Sequence, residues 1–275
     1  MRRRGDGART AAAVGVLATV LALLTGCDEN GVQPRPAADP SPGDSVDPPV
    51  LGACRTLTLD EVAAPTNASP VVPCTEKHNT QTYDVGRLPP ALATAAYDSP
   101  EVGAFAYRTC DTGLHAFLGA DESLSMRTVL SWAWFRPSEE AWDAGARWYR
   151  CDVVGGGEQS VSLVNLPETA KGLLQGRPDD RWLVCVAGPT VADAPKIPCT
   201  EPHDWRAVTT IKLGEPDDPY PGDRLSEVRS RDFCSRSVQA YLNYPVQYDW
   251  GYTWFHEAEW DAGNRRSVCW ARTKD

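Results

Sequence analysis

Isoleucine is nearly missing from these 275 residues, occurring only at Ile197 and Ile211, and lysine is scarce, with 5 against 22 arginines. Both residues use AT-rich codons, so the composition points to a GC-rich gene of the kind found in high-GC actinobacteria. Other absences exclude activities. No Gly-X-Ser-X-Gly, Ser-X-X-Lys or His-Glu-X-X-His segment occurs, which removes the common serine-hydrolase and zinc-protease signatures. No two cysteines lie closer than 14 residues, so no Cys-X-X-Cys pair is present for thiol–disulfide exchange. No apolar run is long enough for a comfortable membrane span.

The longest apolar run, Ala11 to Leu24, follows Arg2, Arg3, Arg4 and Arg9 and ends in Leu24-Thr25-Gly26-Cys27. A basic start and a short apolar core make an export signal over residues 1–26. Leu-Thr-Gly-Cys resembles the lipobox of bacterial lipoproteins, which predicts lipidation of Cys27 and anchorage on the extracytoplasmic face of the plasma membrane. Acyl chains gain about 0.8 kcal/mol per buried CH₂, so several of them hold a protein firmly on a bilayer. Removing residues 1–26 subtracts four arginines and Asp6, leaving 27 − 4 = 23 basic and 37 − 1 = 36 acidic residues, a net charge of −13. That charge argues against nucleic acid as a partner. Residues 27–50, rich in Pro, Asp, Gly and Ser, bury too little apolar surface to fold and read as a disordered tether.

The other eight cysteines fall into two sets of four. Cys54, Cys74, Cys110 and Cys151 are followed by Cys185, Cys199, Cys234 and Cys269. Each second cysteine opens a related segment, Cys74-Thr75-Glu76-Lys77-His78 and Cys199-Thr200-Glu201-Pro202-His203. Each last cysteine is preceded by Trp-Asp-Ala-Gly, at Trp142–Gly145 and Trp260–Gly263. The pattern predicts a duplicated, disulfide-stapled module, at residues 51–166 and 181–275, joined by a linker at 167–180. Four cysteines per module allow three pairings. Because Cys185 and Cys199 flank one Pro-rich loop, the favoured set is Cys54–Cys74, Cys110–Cys151, Cys185–Cys199 and Cys234–Cys269.

Each module reads as an α+β unit, an antiparallel sheet with one packed helix. Val102, Ala106, Cys110, Leu114 and Phe117 recur at helical spacing, with Gly119 at the cap position. Leu225, Val228, Cys234, Val238 and Tyr241 trace a rougher stripe ending at Asn243. Leu130, Trp132 and Trp134 alternate on one strand face, as do Trp250, Tyr252 and Trp254, and are expected in the core beneath the helices. Ser138-Glu139-Glu140 predicts a capped helical turn, and Glu168 to Leu174 a short helical patch.

Three groups are candidates for chemistry. Glu76/His78 and Glu201/His203 have the residue types of a metal or acid–base site, but each loop supplies at most three ligands where zinc wants three or four, and the cysteines are expected as disulfides. The favoured role is a histidine hydrogen-bonded to a backbone carbonyl, bracing the loop, with no metal and no cofactor. Trp142 and Trp260, at the turns, are the binding candidates, set against a role in pinning those turns. His115, aligned with Gln239, and His256, aligned with Arg136, do not repeat and read as surface residues.

Pro198-Cys199-Thr200-Glu201-Pro202-His203, a mid-helix cysteine and Trp-Asp-Ala-Gly ahead of a last cysteine resemble the septum-formation domain family of actinobacterial envelope proteins. The resemblance covers about residues 54–151 and 185–269, and the first copy departs from it at Lys77-His78-Asn79. It implies a link to cell division and supplies no catalytic residues. The resulting expectation is a non-catalytic, lipid-anchored interaction module with an envelope or division protein as partner. The alternatives are a metal- or ligand-binding lipoprotein and an envelope hydrolase.

Overall fold

The structure, a computed structural model, describes residues 45–157, 159–192, 194–261 and 263–273. The expected leader, Cys27 and most of the tether lie outside the described residues.

Two antiparallel sheets carry the fold, as the α+β reading expects. The first is built from β1 (Cys54–Arg55), β2 (Thr80–Arg87), β3 (Ser131–Phe135) and β4 (Trp148–Val154) in the order β1-β2-β4-β3. The second is built from β5 (Val184–Val186), β6 (Lys196–Pro198), β7 (Trp205–Lys212), β8 (Trp250–Thr253) and β9 (Arg266–Arg272) in the order β6-β5-β7-β9-β8. The two sheets are alike in register. Thr82 pairs with Asp152 and Asp84 with Cys151, skipping Tyr83; Ala207 pairs with Trp270 and Thr209 with Cys269, skipping Val208. Both long strands therefore bulge at the same step, beside the last cysteine of each set.

All four favoured disulfides are formed: Cys54–Cys74, Cys110–Cys151, Cys185–Cys199 and Cys234–Cys269. The second bond of each module staples its long helix to its central strand. Those helices are α2 (Pro100–Leu118) and α5 (Asp223–Tyr241). Around them lie four short helices: α1 (Leu59–Ala63), α3 (Glu122–Ser125), α4 (Glu139–Asp143) and α6 (Glu257–Asp261). The expected turn after Ser138 is α4, whose Ala141 amide donates to the Ser138 hydroxyl at 3.2 Å.

Helix α2 follows its sequence signals. Ser99 caps it, Pro100 takes the first turn, and Gly119 ends it at φ 71°. Val102, Ala106, Cys110 and Leu114 are buried, and Leu118, rather than the half-buried Phe117, completes the stripe. Helix α5 departs from expectation. Its buried face is Ser226, Ser230, Cys234 and Val238, while Leu225 and Tyr241 are exposed. The serine side chains are small, and the Ser230 hydroxyl is satisfied by the Ser226 carbonyl at 2.7 Å, so it enters the interface without a stranded donor. Asn243 follows α5 in the left-handed conformation, φ 66°, as its position suggests.

The expected helical patch at Glu168–Leu174 is a series of turns. Its backbone bonds elsewhere: Gly172 N–H donates to the Phe117 carbonyl and Leu174 N–H to the Leu118 carbonyl, satisfying the last carbonyls of α2. Ala170 and Leu174 join Leu114, Leu118 and Trp182 in one core cluster, so the expected linker at 167–180 is anchored on the first module at these two residues. The tether end is docked too: the Trp148 indole donates to the Ser45 carbonyl at 2.8 Å, and Pro49 is buried.

Each sheet is covered on both faces. Trp132 and Trp134 meet the α2 side, while Ala133 and Phe135 pack with Leu57, Trp148 and Val154 on the other. In the second sheet Trp250 and Tyr252 meet α5. Val184, Val186, Trp205, Ala207, Val268 and Trp270 fill the far side, and Val129 from the first module is buried among them.

Candidate functional site

The repeated histidine loops are superposable in their bonding. In the first, Glu76 N–H donates to the Pro73 carbonyl at 2.8 Å, and the His78 ring meets the Glu76 carbonyl through Nδ1 at 2.8 Å. In the second, Glu201 N–H donates to Pro198 at 3.0 Å, and His203 Nδ1 meets the Glu201 carbonyl at 2.8 Å. A carbonyl only accepts, so Nδ1 carries the proton in both rings. It is the main chain of each glutamate that holds the histidine. The carboxylates of Glu76 and Glu201 belong to exposed residues, whereas His78 and His203 are buried. The acid–base pairing suggested by residue type is therefore not assembled.

Cys185, Cys199 and His203 place their ligand atoms within 4.8 Å of one another. The two sulfurs are bonded to each other and so offer no thiolate to a cation. What this chemistry does is fix a loop: a disulfide at its base, a tight turn, and an imidazole tied to the turn's own carbonyl.

Trp142 and Trp260 present no ring face to a ligand. They are 4% and 2% exposed. Arg147 lies over Trp142 at 4.1 Å and Arg265 over Trp260 at 4.4 Å, the same i, i+5 cation–π pair in both copies. The Trp260 indole also donates to the Asp218 carbonyl at 2.9 Å. As binding candidates these two residues are displaced; they pin their turns.

His256 is equivalent to Ser138, not to Arg136 as the sequence alignment had it. Trp134 faces Cys151 and Tyr252 faces Cys269, so Arg136 corresponds to Trp254 and Ser138 to His256. His256 is exposed, and its Nδ1 meets Asp223 at 2.8 Å, where Tyr220 also donates. These two hydrogen bonds hold the Asp223 carboxyl below the usual range. Among the described residues no hydroxyl or thiol bonds the His256 ring, so no activated nucleophile completes this pair. His115, half-buried, sits 4.0 Å from Asp111 on the same helix.

A further cluster went unread in the sequence. Arg55, Arg150 and Asp152 are 2%, 1% and 0% exposed inside the first module. Arg150 lies 3.1 Å from Asp152, the Thr82 hydroxyl donates to Asp152 at 2.7 Å, and Arg55 donates to Thr82 at 3.0 Å. Arg150 also donates to Asn67 at 3.1 Å. Burial pulls the Arg150 guanidinium down to about 10, outweighing the lift from Asp152. In the second copy the equivalent positions hold Val186, Ala207, Val268 and Trp270. The cluster is thus a property of one module, buried on all sides, and holds structure rather than substrate.

Searches of curated proteins and of solved structures give no match. Residues 129–269, just over half the chain, match the family described as septum formation. The match opens at Val129, in the loop ahead of β3 that reaches into the second core, and closes at Cys269, the last cysteine of the second set. On this match the chain belongs to the septum-formation family.

Proposed function

We propose that this protein is a lipid-anchored component of the cell envelope that takes part in septum formation as a non-catalytic interaction module. The family match over residues 129–269 carries the reading. Two features support its finer parts. Four disulfides suit an oxidising, extracytoplasmic compartment. The basic start, short apolar core and Leu24-Thr25-Gly26-Cys27 suit export and acylation at Cys27. No helix among the described residues is long and apolar enough to cross a membrane. The repeated loops spend their histidines on backbone carbonyls, which favours scaffold over catalyst.

The test is fractionation and fluorescence localisation of the tagged chain beside its Cys27→Ala variant. The expected result is wild type in the membrane fraction and enriched at division septa, with the variant released or left unprocessed. Mature, membrane-bound Cys27→Ala protein refutes the anchor. Uniform envelope distribution of the wild type through division refutes the septal role.

A further inference from the structure

The two copies treat the outer edge of their last hairpin differently. In the first, β3 is the edge strand of its sheet. Its register with β4 turns the backbone of Trp132, Trp134 and Arg136 outward, and the Arg136 N–H donates to the Pro65 carbonyl at 3.0 Å. Pro65 belongs to the segment between Cys54 and Cys74 that also carries α1. That segment occupies the place of a further strand at the end of β3.

In the second copy the segment is shorter. Its corresponding cysteines are 14 residues apart instead of 20. Strand β8 is likewise an edge strand. Arg272 N–H donates to the Asp249 carbonyl, so Gly251 and Thr253 face β9, and the backbone groups of Trp250, Tyr252 and Trp254 face outward. Among the described residues the Trp254 N–H, equivalent to the engaged Arg136 N–H, has no hydrogen-bond partner.

The side chains along this edge differ too. Trp250, Tyr252, Trp254 and His256 stack in file, with centroids 5.7, 5.7 and 5.6 Å apart. The three aromatic rings are only half-buried. In the first copy Tyr107 packs edge-on against Trp132, and Phe105 against Tyr149. Counting from the helix cysteines, Phe105 and Tyr107 become Arg229 and Arg231, and Gly103 becomes Glu227. Glu227 meets the Tyr252 hydroxyl at 3.3 Å, Asp223 and Glu259 flank His256, and Glu257 adjoins it. Arg231 is neutralised by Asp232 at 2.9 Å. The rim of the ladder is therefore acidic.

We propose that the β8 edge binds an extended, cationic segment of a partner protein by strand addition. Backbone donors and acceptors of Trp250, Tyr252 and Trp254 supply the main-chain bonds, the aromatic file supplies the side-chain contact, and the acidic rim selects basic residues. The first copy shows the same edge engaged by the chain's own segment, and the second leaves the position to a partner. From Trp250 to Trp254 the open edge runs about 13 Å, room for four or five extended residues. This deepens the interaction reading above and rests on it.

The probe is a fluorescent eight-residue peptide alternating lysine and valine, titrated against the full chain by anisotropy at low salt. Three results are expected. The peptide binds; N-methylation of alternate backbone amides on its pairing side weakens it at least tenfold; and replacing lysine by glutamate weakens it comparably. Trp254→Pro, which deletes the N–H equivalent to that of Arg136, is expected to weaken binding about tenfold more than Trp254→Ala, which loses only the ring. Absence of binding at millimolar peptide overturns the proposal, as does equal binding of the N-methylated peptide. A dimer of the chain that Trp254→Pro dissolves also overturns it, in favour of a second copy as occupant. Peptide binding without septal localisation refutes the septation reading alone, and septal localisation without peptide binding refutes this one alone.

Discussion

Replacing Asp152 by alanine strands two guanidinium groups inside the first module. Asp152 has no exposed surface, and Arg55 and Arg150 are 2% and 1% exposed, so water cannot take the carboxylate's place without opening the sheet. Arg150 loses its 3.1 Å partner, and the Thr82 hydroxyl loses its 2.7 Å acceptor. Removing one member of a buried ion pair costs about 3–5 kcal/mol, chiefly through the charge left behind. For a protein of this size each kcal/mol moves the melting temperature by about 2–4 °C, so the variant is expected to melt about 6–20 °C lower. Differential scanning calorimetry at pH 7, with disulfides intact, measures it. A triple variant, Arg55→Met with Arg150→Met and Asp152→Leu, removes the charges together and is expected to recover most of the loss, because the second copy holds Val186, Val268 and Trp270 at the equivalent places. A loss below about 1 kcal/mol for Asp152→Ala, or a triple variant less stable than the single one, refutes the reasoning.

Asp111 is held above the ordinary carboxylate range, first by burial, with His115 pulling the other way. Its charged form is thus penalised in the fold, a cost present at neutral pH and relieved as pH falls through the raised pKa; Asp111→Asn is expected to melt higher than wild type at pH 8, with the gap closing at pH 4, and thermal melts across that range check it. His203→Ala removes the brace on the Glu201 carbonyl and is expected to lower stability by about 1–3 kcal/mol while leaving zinc content unchanged, as urea unfolding and metal analysis of both proteins show. Among the disulfides, Cys110–Cys151 closes 41 residues and Cys185–Cys199 only 14, so removing the first as a double alanine variant is expected to cost about 1 kcal/mol more than removing the second, read from denaturant midpoints.

The cysteine pairing was legible because spacing and loop composition favoured one arrangement. Helix α2 was legible because its buried positions are occupied by apolar side chains at helical spacing. The buried face of α5 was not, because Ser226 and Ser230 carry no apolar signal; both are small enough for the interface, and the Ser230 hydroxyl bonds within the helix. Arg150 and Asp152 alternate along β4 as residues of a solvated face would, and only the pairing of β1 with β2 and of β2 with β4 shows that Arg55 and Thr82 sit beside them. The histidine loops were legible as a motif, but the choice of carbonyl over carboxylate as the histidine's partner is a matter of turn geometry, which residue type does not encode. The edge of β8 could be seen only by comparing the copies in three dimensions, since its meaning lies in the Arg136–Pro65 contact that the second copy lacks.

Val129 ties the two modules together. It belongs by sequence to the first copy and by packing to the second core, alongside Val184 and Trp270. Its N–H donates to the Trp182 carbonyl at 2.9 Å, and Val184 N–H returns a bond to Arg127 at 2.9 Å. The disulfides each stay within one copy, while the apolar interior crosses between them. A chain cut between the copies would keep every covalent staple and still lose a wall of its second core. The two modules are separate in their covalent staples and joined in their apolar interior, so the pair is expected to unfold as one cooperative object.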